Sequence, residues 1–433
     1  MIPSYRSIVK GAGLFGASKA VNILAALVRT KCAAWMIGTL GVGMNSLFYT
    51  VQMFTSQLMG LGLSVGSVKQ LSDAYATGNA VYIAQHVKQV RLLGLLCGVA
   101  AMLLLSLLSP LLSLLYFDSW QYVPHFMLLG VGVAALIICD IEQSVMRSLQ
   151  RTSQLALSML LSALSTLVCT IPFYWYLGTE GVIYAIVSCA IVSAMVFLWQ
   201  GHRVHAYSLS GSQSPLGRGF WQASMPMIRS GLAFVATGLF LQGSELILQT
   251  VLATTASLAV VGLFKVGYQC AVTYPGMVFS GVVNDYFPRL SALSVEDKEG
   301  RQVVVERQIR VMFLISLPVS LLLFALAPWV IRLLLSVEFL ELVPMVRWAA
   351  FALLCKAVYL PLGYIPLALD RRTHFMLLEG LSCLIRILVV LLGYQLNGLE
   401  GIGQGVLAGS IIDLTGYLFF CHHFYGLSIR RLL

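Results

Sequence analysis

Twelve apolar runs, each long enough to cross a lipid bilayer, take up most of the 433 residues. They lie near 8–28, 33–64, 92–115, 125–147, 155–177, 182–200, 226–252, 257–285, 309–335, 344–369, 374–396 and 402–424. A helix rises about 1.5 Å per residue and the hydrocarbon layer is about 30 Å thick, so roughly 20 apolar residues make one crossing. The second, eighth and ninth runs exceed that and are expected to tilt or project. Only 10% of the residues are charged and 59% are apolar, too polar-poor to coat soluble domains of this length. The pattern excludes a soluble enzyme, a disordered chain and a secreted disulfide scaffold. It predicts an all-α polytopic membrane protein with twelve transmembrane helices.

Basic loops stay on the cytoplasmic side. Of the 27 Lys and Arg, six are assigned to the spans and, with the ends of the runs counted as loop, Arg29, Lys31 and Arg332 to one set of loops. The remaining 18 fall on the other set, which places both termini inside. The formal charge of +10 is therefore read as a partner for anionic lipid headgroups, with no nucleic acid required. The nine cysteines sit in apolar runs without a CxxC pair and read as small buried hydrophobes. The seven histidines show no metal-ligand spacing, and no nucleotide-binding or hydrolase motif occurs. The expectation is a protein that is not an enzyme and holds no cofactor or metal. The N-terminal run lacks a cleavage site and reads as a retained helix.

The second half repeats the first. At a shift of 219, Lys88-Gln89-Val90-Arg91 falls on Arg307-Gln308-Ile309-Arg310, and Gly43 on Gly262. At 220, Val123-Pro124 falls on Val343-Pro344, and Gly178-Thr179-Glu180-Gly181-Val182 on Gly398-Leu399-Glu400-Gly401-Ile402. Chance alignment of apolar helices matches Leu and Val, not polar loops at a fixed offset. Loops six helices apart share a side of the membrane, so the repeat is parallel. The predicted organisation is an N-terminal six-helix lobe over 1–200, a cytoplasmic linker over 201–224 and a C-terminal six-helix lobe over 225–433. Two lobes on a Ser-rich link suit a transporter that rocks between two access states.

Polar groups inside spans are costly, and each is a functional candidate. Lys19, Asn22 and Arg29 share a face of the first helix, and Asn45, Tyr49, Gln52 and Ser56 a face of the second. Gln242, Glu245 and Gln249 mark the seventh, and Lys265, Tyr268 and Gln269 the eighth. These stripes are expected to line one hydrated cleft. Against this, Arg29 and Lys31 are placed to snorkel to headgroups, and Asp140 with Arg147, or Glu379 with Arg386, to tie helices together. Lys19, Lys265, Arg347 and Lys356 have no evident acidic partner in the sequence. Surplus positive charge suits an anionic substrate such as a pyrophosphate. The aromatic residues fit interfacial belts first and sugar stacking second.

Gly11-Ala12-Gly13-Leu14, Arg29-Thr30-Lys31, Gly38-Thr39-Leu40-Gly41-Val42-Gly43 and Gly60-Leu61-Gly62-Leu63-Ser64 resemble the opening of bacterial polysaccharide-export translocases. These are O-antigen-type lipid-linked oligosaccharide flippases of the MATE-like MOP superfamily. Tyr286-Phe287-Pro288-Arg289-Leu290-Ser291 is similar to the second-lobe counterpart. Family members usually read Gly-Pro-Ala-Gly where this chain has Gly38-Thr39-Leu40-Gly41. The motifs are short and glycine-rich, so the resemblance specifies the superfamily better than the substrate. It implies a V-shaped pair of lobes around a cationic cavity, in a bacterial cytoplasmic membrane. It also implies flipping of an undecaprenyl-pyrophosphate-linked glycan to the periplasmic leaflet, alongside a glycan polymerase and other export proteins. In that frame Lys19, Arg29, Lys265 and Arg386 are expected to meet phosphate, and Asn45, Gln52, Gln242 and Gln249 sugars. Glu245 and Asp413 are the candidates for H+ or Na+ coupling. The competing reading is a cation-coupled multidrug antiporter of the same superfamily, against which stands the absence of Asp and Glu from the first two runs. A major-facilitator carrier fits less well, because Ser67-Val68-Lys69-Gln70-Leu71-Ser72-Asp73 lacks that family's loop motif. A non-transporting scaffold for glycan synthesis is the third class.

Overall fold

The computed structural model describes the backbone over residues 5–204, 220–293 and 297–428, and side chains within these ranges outside 5–20, 203–204, 223, 233–234, 278 and 280–285. Twelve α-helices follow in chain order: α1 Tyr5–Met59, α2 Leu63–Ala76, α3 Ala80–Phe117, α4 Val123–Ser148, α5 Thr152–Leu177, α6 Gly181–Val204, α7 Phe220–Thr255, α8 Leu258–Tyr268, α9 Tyr274–Ser291, α10 Lys298–Leu334, α11 Val343–Ala368 and α12 Arg372–Tyr425. No strand occurs among the described residues. Nine of the helices, by length and apolarity, can cross a membrane among the described residues. The protein is an all-α, multi-pass membrane protein.

The helix breaks differ from those expected. The first two apolar runs form one 55-residue helix, α1, which continues through Arg29–Lys31 and turns only at Gly38, where φ is 63°. Polar side chains do not interrupt a backbone ladder, whereas a left-handed residue does, and glycine accepts that conformation without a Cβ clash. The last two runs likewise join in the 54-residue α12, broken at Asn397 and Gly398. The eighth run is split between α8 and α9 by a π-helical turn, Gln269–Thr273, followed by Pro275.

Packing divides the chain into two compact units, Met1–Leu246 and Ile247–Leu433. The division falls inside α7, and glycines account for where the first part of that helix goes. Gly62, left-handed at φ 63°, and Gly66 of α2 lie so close to Gly231 and Met227 of α7 that a Cβ at either glycine would strike α7 backbone. The Ser230 hydroxyl donates to the Gly66 carbonyl at 3.2 Å, and Gln89 Nε2 donates to Ser224 Oγ at 2.8 Å. Small residues let helix backbones approach in lipid, where van der Waals contact replaces the hydrophobic drive. Most of the linker expected over 201–224 lies outside the described residues.

At the charged end of the first unit, Arg91 of α3 forms a two-pronged ion pair with Glu142 of α4, at 2.5 and 2.7 Å. Glu142 is 1% exposed and lies against Gly201 of α6. In the second unit the matching corner is apolar: Leu362, Cys421 and Tyr425 join Tyr286, Leu290 and Val305 in one buried cluster. None of the nine cysteines forms a disulfide among the described residues, and each is buried or half-buried.

Candidate functional site

Each unit carries its own set of polar side chains among apolar helices. In the first unit the kink at Gly38 lets one helix supply two limbs of the set. Arg29, on the first limb, is near enough to Tyr49, Tyr174 and Cys189 to interact electrostatically with all three. On the second limb, Asn45 Oδ1 accepts from the Tyr174 hydroxyl of α5 at 3.1 Å. Tyr49 also interacts with Asp140 of α4. Tyr49 is 41% exposed although it sits in the middle of a span, one turn beyond Asn45. Gln52 is buried, with its amide nitrogen against Gly132 of α4, where a Cβ would come within 3.0 Å of it. That nitrogen has no hydrogen-bond partner among the described residues. Asn22 donates to the Met159 carbonyl at 3.4 Å.

Arg29 forms no hydrogen bond or ion pair with a carboxylate among the described residues; the groups it acts on are Tyr49, Tyr174 and Cys189. Asp140 and Arg147 do not form the tie suggested by their spacing. Arg147 points outward and donates to Gln143 at 3.2 Å, acting on Asp140 only through longer-range charge.

The second unit gathers acids and bases together. Arg386, on the first limb of α12, interacts with Tyr268 of α8, Tyr359 of α11 and Asp413 on the second limb of α12. Asp413 is hydrogen-bonded to Ser382 and feels both Arg386 and Glu379. Glu379 accepts from the Tyr417 hydroxyl at 3.3 Å and is attracted to Lys356 as well as Arg386. Arg386 and Asp413, assigned above to phosphate and to ion coupling, are thus neighbours in one network. Lys356 Nζ stands 3.5 Å from where a Gly276 Cβ would be, just past the π-turn.

The remaining expected residues are more scattered. The Lys19 side chain lies outside the described residues. Gln242 and Glu245 are half-buried on the part of α7 that belongs to the first unit, and Gln249 is fully buried in the second. Lys265 is half-buried on α8, one turn before Tyr268, and is engaged in an interaction, as are Glu245 and Gln249. Arg347 has a place outside any polar cluster: its Nε donates to the Phe324 carbonyl at 3.2 Å, with the guanidinium 5.5 Å above the Phe324 ring. No group of His, Cys, Asp and Glu among the described residues could hold a metal ion.

Beyond Tyr49 and Tyr268, sequence reasoning missed the tyrosines. Tyr174, Tyr359 and Tyr417 each lie beside a polar site residue, yet in the sequence they merge with the aromatic background. The repeat held a signal: Tyr49 falls on Tyr268 at a shift of 219 and Tyr174 on Tyr394 at 220.

Comparison with known proteins completes the description. No curated protein matches significantly. An inward-facing multidrug resistance MATE family transporter of the MOP superfamily superposes with a TM-score of 0.77 at 16% identity, covering 94% of both chains. A Pyrococcus furiosus MOP superfamily transporter, described as having a binding pocket of reversed polarity, gives 0.67 at 15% identity over 96% of both. The Vibrio cholerae MATE transporter VcmN gives 0.67 at 17% over 99% of both. Identities this low establish the fold, which is that of the MATE transporters. The family model described as polysaccharide biosynthesis protein matches residues 36–344, which include the second limb of α1 and the whole of α2 to α10. The chain therefore belongs to the polysaccharide biosynthesis protein family, built on a MATE-type helical fold.

Proposed function

We propose that the protein is a transporter that flips an undecaprenyl-pyrophosphate-linked oligosaccharide from the cytoplasmic to the periplasmic leaflet of a bacterial inner membrane by alternating access. Arg29 carries this reading: a guanidinium among apolar helices, close to Tyr49, Tyr174 and Cys189 and not bonded to an acid among the described residues. A half-buried cation within a span is costly unless something neutralises it, and a diphosphate matches the planar fork of donors. Neutral Tyr49 beside it, Asn45 bonded to its neighbour Tyr174, and Gln52 further along the same limb suit hydroxyl groups, which both donate and accept. In this reading Lys19, Lys265 and Arg386 supply further phosphate contacts, and Gln242 and Gln249 further sugar contacts. Carrying the headgroup through the membrane in polar surroundings avoids desolvating two phosphates and several sugars in hydrocarbon. Family membership points to the same substrate class.

The carboxylates of the second unit favour ion coupling. Glu379 and Asp413 share Arg386, so a proton or Na+ arriving at either changes the charge balance of the whole network. Glu245 remains a second candidate. The same acids are what a cation-coupled drug antiporter would use, and a drug-efflux assay in a pump-deficient strain separates the two.

The test is glycan export in cells lacking their own flippase. Arg29→Ala is expected to abolish export while the amount of protein in the membrane stays constant, and Arg29→Lys to restore part of it. Full export by Arg29→Ala would remove the phosphate assignment.

A further inference from the structure

Five aromatic rings form a continuous strip at the end of the first unit that carries the α3–α4 and α5–α6 turns, the outer end by the charge rule. Phe117 and Tyr122 stack with centroids 3.8 Å apart and planes at 17°. Tyr122 leads to His125 at 5.2 Å, His125 to Tyr184 at 6.4 Å, and Tyr184 to Phe173 at 6.3 Å with planes at 23°. Tyr184 is 42% exposed and the other four are partly exposed. Carboxylates edge the strip: Asp118 caps α3 in a left-handed conformation, and Glu180 is near enough to His125 to interact with it electrostatically. His125 is hydrogen-bonded to the Gln121 backbone one turn back, and its Nδ1 is buried.

The second unit is an internal control. At the shift of 220, Tyr122, His125, Phe173 and Tyr184 fall on Leu342, Met345, Gly393 and Gln404. The equivalence is structural as well: Gly181 packs on the Phe173 carbonyl, and Gly401 on the Gly393 carbonyl. Leu342 and Met345 are fully buried core. A membrane-interface belt runs at one depth around a protein, so it gives no reason for rings at these positions in one repeat only.

We propose that this strip is a carbohydrate-binding platform that receives pyranose units of the transported glycan at the outer end of the first unit. The inference rests on the glycan-transport reading above. A pyranose ring has an apolar face of C–H bonds, which suits the electron-rich face of an aromatic ring. Its hydroxyls radiate from the edge, where Asp118 and Glu180 accept hydrogen bonds and the tyrosine hydroxyls donate or accept. The platform selects the glycan and is indifferent to the lipid pyrophosphate.

The test uses the full-length protein in phospholipid nanodiscs. The probe is free oligosaccharide released by mild acid from the lipid-linked oligosaccharide fraction of its host. Saturation-transfer NMR is expected to show binding that Tyr184→Leu weakens about tenfold, the size of one lost stacking contact. Phe173→Leu should act in the same direction, Tyr184→Trp should retain binding, and Gln404→Leu should change nothing. The leucine variants keep an apolar side chain, so a belt role predicts wild-type binding from both, and that result overturns the platform. Absence of binding by the wild type also overturns it. Glycan export by the same variants separates the two readings. Export by a wild type that does not bind the free oligosaccharide sinks the platform and leaves the transport reading standing. Tyrosine-dependent binding without export does the reverse.

Discussion

The two units start from one repeat and differ most at positions that correspond. Arg91 and Glu142 form a buried ion pair in the first unit, and the same two positions in the second are Arg310 and Leu362. Arg310 lies mostly in the open, bonded to Glu306 one turn back, while Leu362 is fully buried in an apolar cluster. Gly201, which lies against Glu142, is replaced by Cys421, whose thiol sits 3.8 Å from the Leu362 carbonyl. The same corner of the fold is therefore closed once by charge and once by hydrocarbon. The fold does not require the ion pair. This agrees with the general finding that a buried pair can be exchanged for well-packed apolar groups at little cost, though not broken.

The largest expected effect comes from breaking that pair on one side. Glu142→Ala leaves Arg91 half-buried without its acid and should lower unfolding stability by about 3–5 kcal/mol. The double variant Arg91→Met with Glu142→Leu removes both charges, places at 142 the leucine that the second unit has, and should unfold within about 1 kcal/mol of wild type. Thermal unfolding in nanodiscs reads both. A double variant as unstable as the single would mean that the pair, not the packing, closes this corner.

A smaller effect tests the polar groups. The unpartnered amide of Gln52 costs about 1–3 kcal/mol, so Gln52→Leu should stabilise the first unit by a similar amount while reducing glycan export. Stabilisation with full export would make Gln52 a packing residue. In the second unit, Tyr417→Phe removes one hydrogen bond to Glu379 and should cost about 1 kcal/mol. The smallest change belongs to the exposed pair: Glu306→Gln should shift stability by no more than about 0.5 kcal/mol, because solvent screens Arg310. Together the Glu142 and Glu306 variants ask how far one repeat, carrying an arginine at the same position, can diverge in what that charge does.

Much of the architecture can be read from the residues. Run length and charge placement indicate a helical membrane protein, and loops such as Gly178–Val182 and Gly398–Ile402 reveal the repeat because polar residues are not forced to match by the membrane. The helix breaks are harder to read. Arg29-Thr30-Lys31 looks like a loop by polarity but remains helical, and the bend falls at Gly38, whose left-handed φ depends on what packs around it. Site residues divide in the same way. Arg29 and Asn45 stand out because polar groups in apolar runs are conspicuous. Tyr174 and Tyr417 do not, since an amphipathic ring serves equally at an interface or in a polar cluster. The Asp140–Arg147 spacing suggests a tie that the side chains do not form, because a face shared on a helix says nothing about rotamers seven residues apart. Arg347 looks unsatisfied in the sequence, but a backbone carbonyl and a ring face on α10 accept it, and neither is visible from local sequence.

The π-turn at Gln269–Thr273 has a bearing on how the chain tolerates gain and loss of residues. A wide turn holds one residue more than the ordinary helix around it, so deleting a single residue there can be absorbed by tightening the turn, leaving the flanking segments facing as before. At the matching stretch of the first unit, residues 50–54, the helix is already regular. A deletion there would swing everything beyond it by about 100° about the helix axis. Length variation among natural versions of this protein should accumulate at the first of these places and be purged from the second.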